Sequence, residues 1–267
     1  MQSIFMAMYR IASDPEDPKT VHVADGHYSP SLNNQLFPIP IKSHTRLVGE
    51  SREGTILDAE NAAIIVKICS GSIDLGAEKL SFRNGKGGMG IVRTADMWFR
   101  DIYLENVYSI YSPIGIGLAQ SHGNNKLRDI RIQGVRSSTR VTGFDANSMS
   151  GSLKLVNMEI SNCEAPDMRA ISISTKDECD VILDGCEVHH NRGCSSDEFG
   201  FNTMFQISPY MPYATRLGIE IKNSAFFDNY QGTSNVMGMA RSLNDTLFIS
   251  NCTFAGNSGG SAVIAVQ

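Results

Sequence analysis

Residues 153–160 read LKLVNMEI and residues 181–188 read VILDGCEV: apolar, any, apolar, any, polar, apolar, any, apolar. The same pattern, with a few substitutions, recurs at 75–82, 97–104, 125–132, 219–226 and 247–254. Its sixth position falls on Leu80, Ile102, Ile130, Met158, Cys186, Ser224 and Cys252, at intervals of 22, 28, 28, 28, 38 and 28 residues. Alternation of period two sends one set of side chains inward, as on a strand. A polar residue interrupts each copy at Asp101, Asp129, Asn157, Gly185, Asn223 or Asn251. Those residue types tolerate the left-handed backbone of a tight corner. A second break is expected at Asn84, Asn106, Gly134 and Asn162, and one residue later at Asn191, Asn229 and Asn257. A third apolar strand follows in most units, at 114–118, 170–173, 236–239 and 262–266.

Strand, corner, strand, turn, strand at this period is one rung of an all-β parallel solenoid, a β-helix, here with about 8–9 rungs. The spacing predicts one inward stack of Leu155, Leu183, Ile221 and Ile249, and another of Met158, Cys186, Ser224 and Cys252. The 38-residue interval places insertions near 191–204 and 208–215, and solenoid insertions become loops on one face. A single domain over 1–267 is expected, with opening rungs at 20–60 and repeating rungs at 73–267. Ile4, Phe5, Met8 and Ile11 fall at helical spacing and predict a capping helix over 2–12. The strand at 262–266 has no such cap. It is expected to meet further rungs or domains C-terminal to this chain, as in a fragment of a longer protein, or to self-associate.

Composition narrows the function classes. Among 267 residues, 42% are hydrophobic and 19% charged, with a net charge of −5 and no basic stripe to hold nucleic acid. No apolar run reaches the eighteen or so residues of a membrane span. Arg10 interrupts the apolar start, so residues 1–10 do not form a signal peptide. Six cysteines are too few for a disulfide scaffold. Cys186 and Cys252, two rungs apart, lie roughly 9.6 Å from one another, beyond disulfide reach, and read as core residues. Cys163, Cys179 and Cys194 fall in turns, where a bridge stays open. No CxxC points to structural zinc.

The rungs resemble the right-handed parallel β-helix proteins of the pectate-lyase-like superfamily. The N-terminal region is similar to the opening of a β-helix family whose shared domain has no assigned function. That likeness is carried by residues 6–12, TVHVADGHY at 20–28, 37–41 and TRLVGESREGTILD at 45–58. It implies an extracellular or cell-surface protein; the missing signal peptide weighs against secretion, and a truncated start would explain it. A polygalacturonase-like enzyme would carry Asn-Thr-Asp, Asp-Asp, Gly-His-Gly and Arg-Ile-Lys. The nearest matches are Ser121-His122-Gly123 and Arg131-Ile132-Gln133, and there is no Asp-Asp pair. The Gln-Asp and Asp-Phe segments of a pectin-methylesterase-like enzyme are missing too. The calcium site of a pectate-lyase-like enzyme stays open.

Register makes the outward side chains readable. Arg100 and Arg128 should be rung neighbours, and Arg131, Glu159 and Glu187 should form one column. A saccharide groove would use the rings of Trp98 and Tyr103, with Arg100, Arg128 and Arg131 holding carboxylates or sulfates. His189 and the Pro-preceded Tyr210 and Tyr213 would add contacts. Glu159 and Glu187, with Asp184, would hold Ca²⁺, the one cofactor candidate, or act as acid and base. The competing reading is a solvated face whose charges pair along the ladder, with Trp98 buried beneath the loop after Tyr108. His189 and His190 should face opposite ways and share no ion. The leading expectation is a secreted or cell-surface β-helix engaging an acidic polysaccharide without a recognisable catalytic motif. Two alternatives stand beside it. One is a polysaccharide lyase or glycoside hydrolase using Arg128, Arg131, Glu159, Asp184 or Glu187. The other is a structural spacer or adhesin stalk.

Overall fold

A computed structural model describes residues 3–68, 70–92, 94–109, 114–193, 204–209, 216–230, 237–239, 245–259 and 264–266. Residues 194–203 and 210–215 fall outside it, and with them Cys194, Tyr210 and Tyr213. The chain winds as a parallel β-helix. The described strands form three stacks of nine, each strand paired in parallel with its counterpart one turn on. Two stacks meet within single bent strands such as Ala95–Glu105 and Asn124–Gln133. The third contains Ile39–Ile41, Val66–Ile68, Ile114–Ala119, Phe205–Pro209 and the first halves of Arg140–Ser161 and Asp167–Asp184.

The bend has a local cause. Lys79, Asp101, Asp129, Asn157, Gly185, Asn223 and Asn251 all have φ between 49° and 67°. One left-handed residue turns the strand while leaving apolar side chains on both sides of it inside. Leu127, Leu155, Leu183, Ile221 and Ile249 follow one another in register. They form a continuous inward column, as the repeat predicts. All but Ile249, 37% exposed on the last paired rung, are buried.

The second corner departs from expectation. Positive φ falls at Asn84, Asn106, Gly134, Asn162, His190, Asp228 and Gly256. That register never slips, so Asn191, Asn229 and Asn257 sit just past the corner and point inward. Asn191 donates Nδ2 to the Ile160 carbonyl at 2.9 Å, and its Oδ1 accepts the Cys163 N–H at 3.0 Å. Asn229 repeats this one turn on, toward Val188 at 2.8 Å and Asn191 at 3.2 Å. Asparagine suits both a left-handed corner and a buried backbone contact, and here the backbone contact decides its place.

The helix is shorter than expected, Ile4–Arg10, because Ile11 already has an extended backbone. Ser3 caps it by accepting the Met6 N–H. Ile4 and Met8 are buried in the core at the first-rung end. No helix among the described residues is long and apolar enough to cross a membrane. The four described cysteines are free thiols. Burial raises the Cys163 and Cys179 thiols to about 12 and the Cys186 thiol to about 11.

Candidate functional site

The expected outward neighbours do meet. Arg128 pairs in register with Arg100, and Arg131 lies between Tyr103 and Glu159, which is followed by Glu187. The corner, however, divides them between two faces. Trp98, Arg100 and Arg128 precede the left-handed residue, whereas Tyr103, Arg131, Glu159 and Glu187 follow it. Since both half-strands keep alternate residues inside, the outer surface there is convex. The structure therefore does not gather these side chains into one groove.

The face after the corner is satisfied internally. Arg131 donates Nε to Glu159 Oε2 at 2.6 Å and packs over the Tyr103 ring at 5.9 Å. Tyr103 donates its hydroxyl to Gln133 at 3.0 Å, and Ser161 donates to Glu159 Oε1 at 3.1 Å. Asp184 lies across the corner at Gly185 and accepts from Asn223 Nδ2 at 2.9 Å. It does not join Glu159 and Glu187 in a calcium cage. Among the described residues, no three His, Cys, Asp or Glu side chains converge as metal ligands.

On the face before the corner, the half-buried Trp98 lies over Gly76, with the Arg46 guanidinium 5.3 Å from its ring centroid. This cover comes from earlier rungs; residues 110–113 of the loop after Tyr108, the cover expected from sequence, lie outside the described residues. Lys126 and Lys154 continue the Trp98 column, so Arg100, Lys126, Arg128 and Lys154 form a basic strip over three rungs. Arg128 also contacts Asp129 at 3.1 Å. The two lysines were legible as outward positions of the same columns.

A cavity lies elsewhere, on the outer face of the third stack, and sequence reasoning missed it. Its volume is about 330 Å³, and it spans four rungs from Ile114 to Ser208. Gly117, Asp145, Ser172 and Gln206 succeed one another in register across it. Gly117 contributes no side chain, which leaves room above the rung it occupies. Arg140 is paired with Asp167, and its Nε donates to Asp167 Oδ2. Arg169 Nε lies 3.8 Å from Asp167 Oδ1. Asp167, only 7% exposed, thus serves two guanidinium groups.

Asp145 differs from Asp167. Burial raises its carboxyl above the usual range, against the opposing hydrogen bond from Ser172 and charge of Arg169. The Gln206 Oε1 is buried without a hydrogen-bond donor among the described residues. The pocket thus combines the guanidinium groups of Arg140 and Arg169, both facing Asp167, with the Asp145 carboxyl and a ring of hydroxyls and amides. The insertion positions 194–203 and 210–215 flank the strand Phe205–Pro209 that closes it.

No family model and no curated protein matches the chain. Solved structures with a similar path include a pectin methylesterase in complex with a hexasaccharide, at 11% identity and a TM-score of 0.45. That likeness covers 87% of this chain and 77% of the other. The ORF18 protein of Geobacillus virus E2 is 15% identical with a TM-score of 0.45, over 98% of this chain and 55% of that one. The Streptococcus pneumoniae surface adhesin PfbA is 9% identical with a TM-score of 0.32, over 93% and 91%. These are distant likenesses of winding, and the pocket has to be judged on its own chemistry.

Proposed function

We propose that this β-helix engages an acidic polysaccharide outside the cell or at its surface, through the pocket on its third stack. The observation that carries this reading is the grouping of Arg140 and Arg169 around the single carboxylate of Asp167. A guanidinium has five N–H donors, so Arg140, which gives its Nε to Asp167, has others to offer a ligand. Arg140 and Arg169, both lining the pocket, suit a sugar carboxylate or sulfate. The hydroxyls and amides of Ser172, Ser174, Asn147 and Gln206 suit sugar hydroxyls. The basic strip of Arg100, Lys126, Arg128 and Lys154, beside Trp98, is a second surface for the same class of ligand. A spacer or stalk would need neither feature.

Calorimetric titration of acidic and neutral oligosaccharides against wild type, Arg140→Ala and Arg131→Ala tests it. Charged hydrogen bonds contribute roughly 1.5–3 kcal/mol each, so Arg140→Ala should weaken acidic ligands about tenfold or more. Arg131→Ala should bind as wild type, because its guanidinium is held by Glu159. Failure of every acidic oligosaccharide to bind, or equal binding by Arg140→Ala, would remove the reading.

A catalytic version would use Asp145, the carboxyl in the pocket beside Arg169, as acid or base. The earlier candidates Arg128, Arg131, Glu159, Asp184 and Glu187 fall on two faces divided by the corner. Release of reducing ends or unsaturated products by wild type but not Asp145→Asn would establish it. Absence of product from both would leave binding alone.

A further inference from the structure

Two further clusters lie at or just past the second corner. In the first, His189 and His190 share a hydrogen bond between their Nδ1 atoms at 2.8 Å. They therefore do not face opposite ways as expected of neighbours on an extended strand, because His190 takes the left-handed corner with φ 54°. His189 also stacks on Phe227 at 4.7 Å, so this pair is closed on itself. The second cluster surrounds another cavity, of about 410 Å³, whose lining includes Tyr108, Arg136, Ser138, Glu164, Ala165 and Pro166. Tyr108, Arg136 and Glu164 are bridge partners on three successive rungs. Such partners stand roughly 4.8 Å apart. Tyr108 is 48% exposed, and Arg136, Glu164 and Pro166 are exposed as well. The cavity thus offers the apolar surface of a phenol ring and a proline beside one guanidinium and one carboxylate that balance in charge.

This cavity adjoins the pocket of Arg140 and Arg169. Ser138 lines one and Arg140 the other, and two residues of chain reach at most about 7 Å. On the next rung Pro166 and Arg169 repeat the arrangement, with Asp167, the partner of Arg140, between them. No residue of 136–147 or of 164–174 is left-handed. A corner of the kind that parts Arg128 from Arg131 therefore does not come between the two cavities.

We infer that the two cavities are successive subsites of one track, and that its ligand is an oligosaccharide in which an acidic sugar is followed by a neutral one. The inference rests on the proposed binding of acidic polysaccharide at Arg140. The acidic group meets Arg140 and Arg169, and the next ring lies against Tyr108 and Pro166. There Arg136 donates to sugar hydroxyls and Glu164 accepts from them. A second sugar carboxylate would meet repulsion from Glu164, which selects the neutral unit. Once the acidic unit is held, the second contact is intramolecular, so affinity rises with chain length without added charge. The competing explanation is a depression between two turns that holds no sugar.

The test uses uronic acid sugars of one to four units, either acidic throughout or alternating with neutral units. Calorimetry reads the oligomers, and saturation-transfer NMR reads the single sugar. Wild type should bind alternating oligomers at least about fivefold more tightly than the single sugar or all-acidic oligomers of equal length. Tyr108→Ala should lose that gain while keeping wild-type affinity for the single sugar. Arg136→Gln, which leaves the phenol ring in place, should lose part of it. Arg140→Ala should weaken single sugar and oligomers alike. Thermal melts of Tyr108→Ala and Arg136→Gln should match wild type, since both side chains are exposed. Affinity that does not rise with length, or that rises equally in Tyr108→Ala, would overturn the track and leave binding at Arg140 standing. Failure of every acidic sugar to bind wild type would remove both readings.

Discussion

The Trp98 indole lies across the α-carbon of Gly76 on the preceding rung: a methyl group there would sit 2.5 Å from Cε2. Gly76 is therefore glycine for lack of space beneath a neighbouring ring. Gly76→Ala should displace the indole from beneath Arg46 and destabilise the fold by roughly 1–3 kcal/mol, as overpacking does. Trp98 is the sole tryptophan, so its emission reports the displacement directly. The spectrum should shift to the red and the denaturation midpoint should fall. An unchanged spectrum and midpoint would show that the indole has another seat.

Asn229 is the middle of a three-member ladder. It donates to the Val188 carbonyl and to Asn257 Oδ1, and it accepts from the N–H and the side-chain amide of Asn191. Removing it leaves several buried groups without partners, at roughly 1–3 kcal/mol for each orphan. Asn229→Leu conserves much of the volume but satisfies none of them. Both Asn229→Ala and Asn229→Leu should therefore lose at least about 2 kcal/mol in urea unfolding, if one or two orphans dominate. A mild loss in the leucine variant alone would mean that volume, rather than bonding, decides this column.

The winding was legible because two independent signals agree. Period-two alternation assigns the inward stack from Leu155 to Ile249, and Asp, Asn or Gly at fixed offsets assigns the first corner. The same register placed Arg100 beside Arg128, and Arg131 beside Glu159. What alternation does not carry is the angle across a left-handed residue. Arg128 and Arg131 are both outward, yet they lie on diverging faces. The pocket was missed for another reason. Its third-stack strands were read for their apolar members, such as Ile171 and Ile173, while the outward partners between and before them went unread. Arg140, Asp145 and Asn147 stand 27 residues before Asp167, Ser172 and Ser174, one short of the 28-residue period, so the repeat as read does not align them. His190 was misjudged because a strand rule was applied to a corner residue.

The buried thiols give a chemical check on the core. With Cys163 and Cys179 held at about 12 and Cys186 at about 11, almost no thiolate exists at pH 8. These three should resist alkylation in the native protein and react on unfolding. Peptide mapping after brief iodoacetamide treatment, with and without denaturant, measures this residue by residue. Rapid native labelling of Cys186 would contradict its place between Met158 and Ser224 in the inward column.

Asp145 ties the pocket to pH. Burial raises its carboxyl above 3.8, so the folded state favours the protonated form more than the unfolded chain does. The contribution of that protonated form to stability is fully present below the unfolded value near 3.8, and is lost as pH rises through the folded value. At neutral pH the ionised Asp145 therefore costs stability, offset in part by Ser172 and Arg169. Asp145→Asn, which is uncharged throughout, should match wild type in melting temperature near pH 3. It should then gain on wild type as pH rises through the window above 3.8, with the difference levelling off once Asp145 is ionised in both states. If a sugar carboxylate occupies the pocket, a protonated Asp145 avoids like-charge repulsion, so acidic ligands should bind wild type more weakly as pH rises through the folded Asp145 value. Asp145→Asn should lose that part of the pH dependence. A variant whose melting temperature stays parallel to wild type from pH 3 to pH 7 would show that this carboxyl is fully solvated, and the pocket as described would not exist.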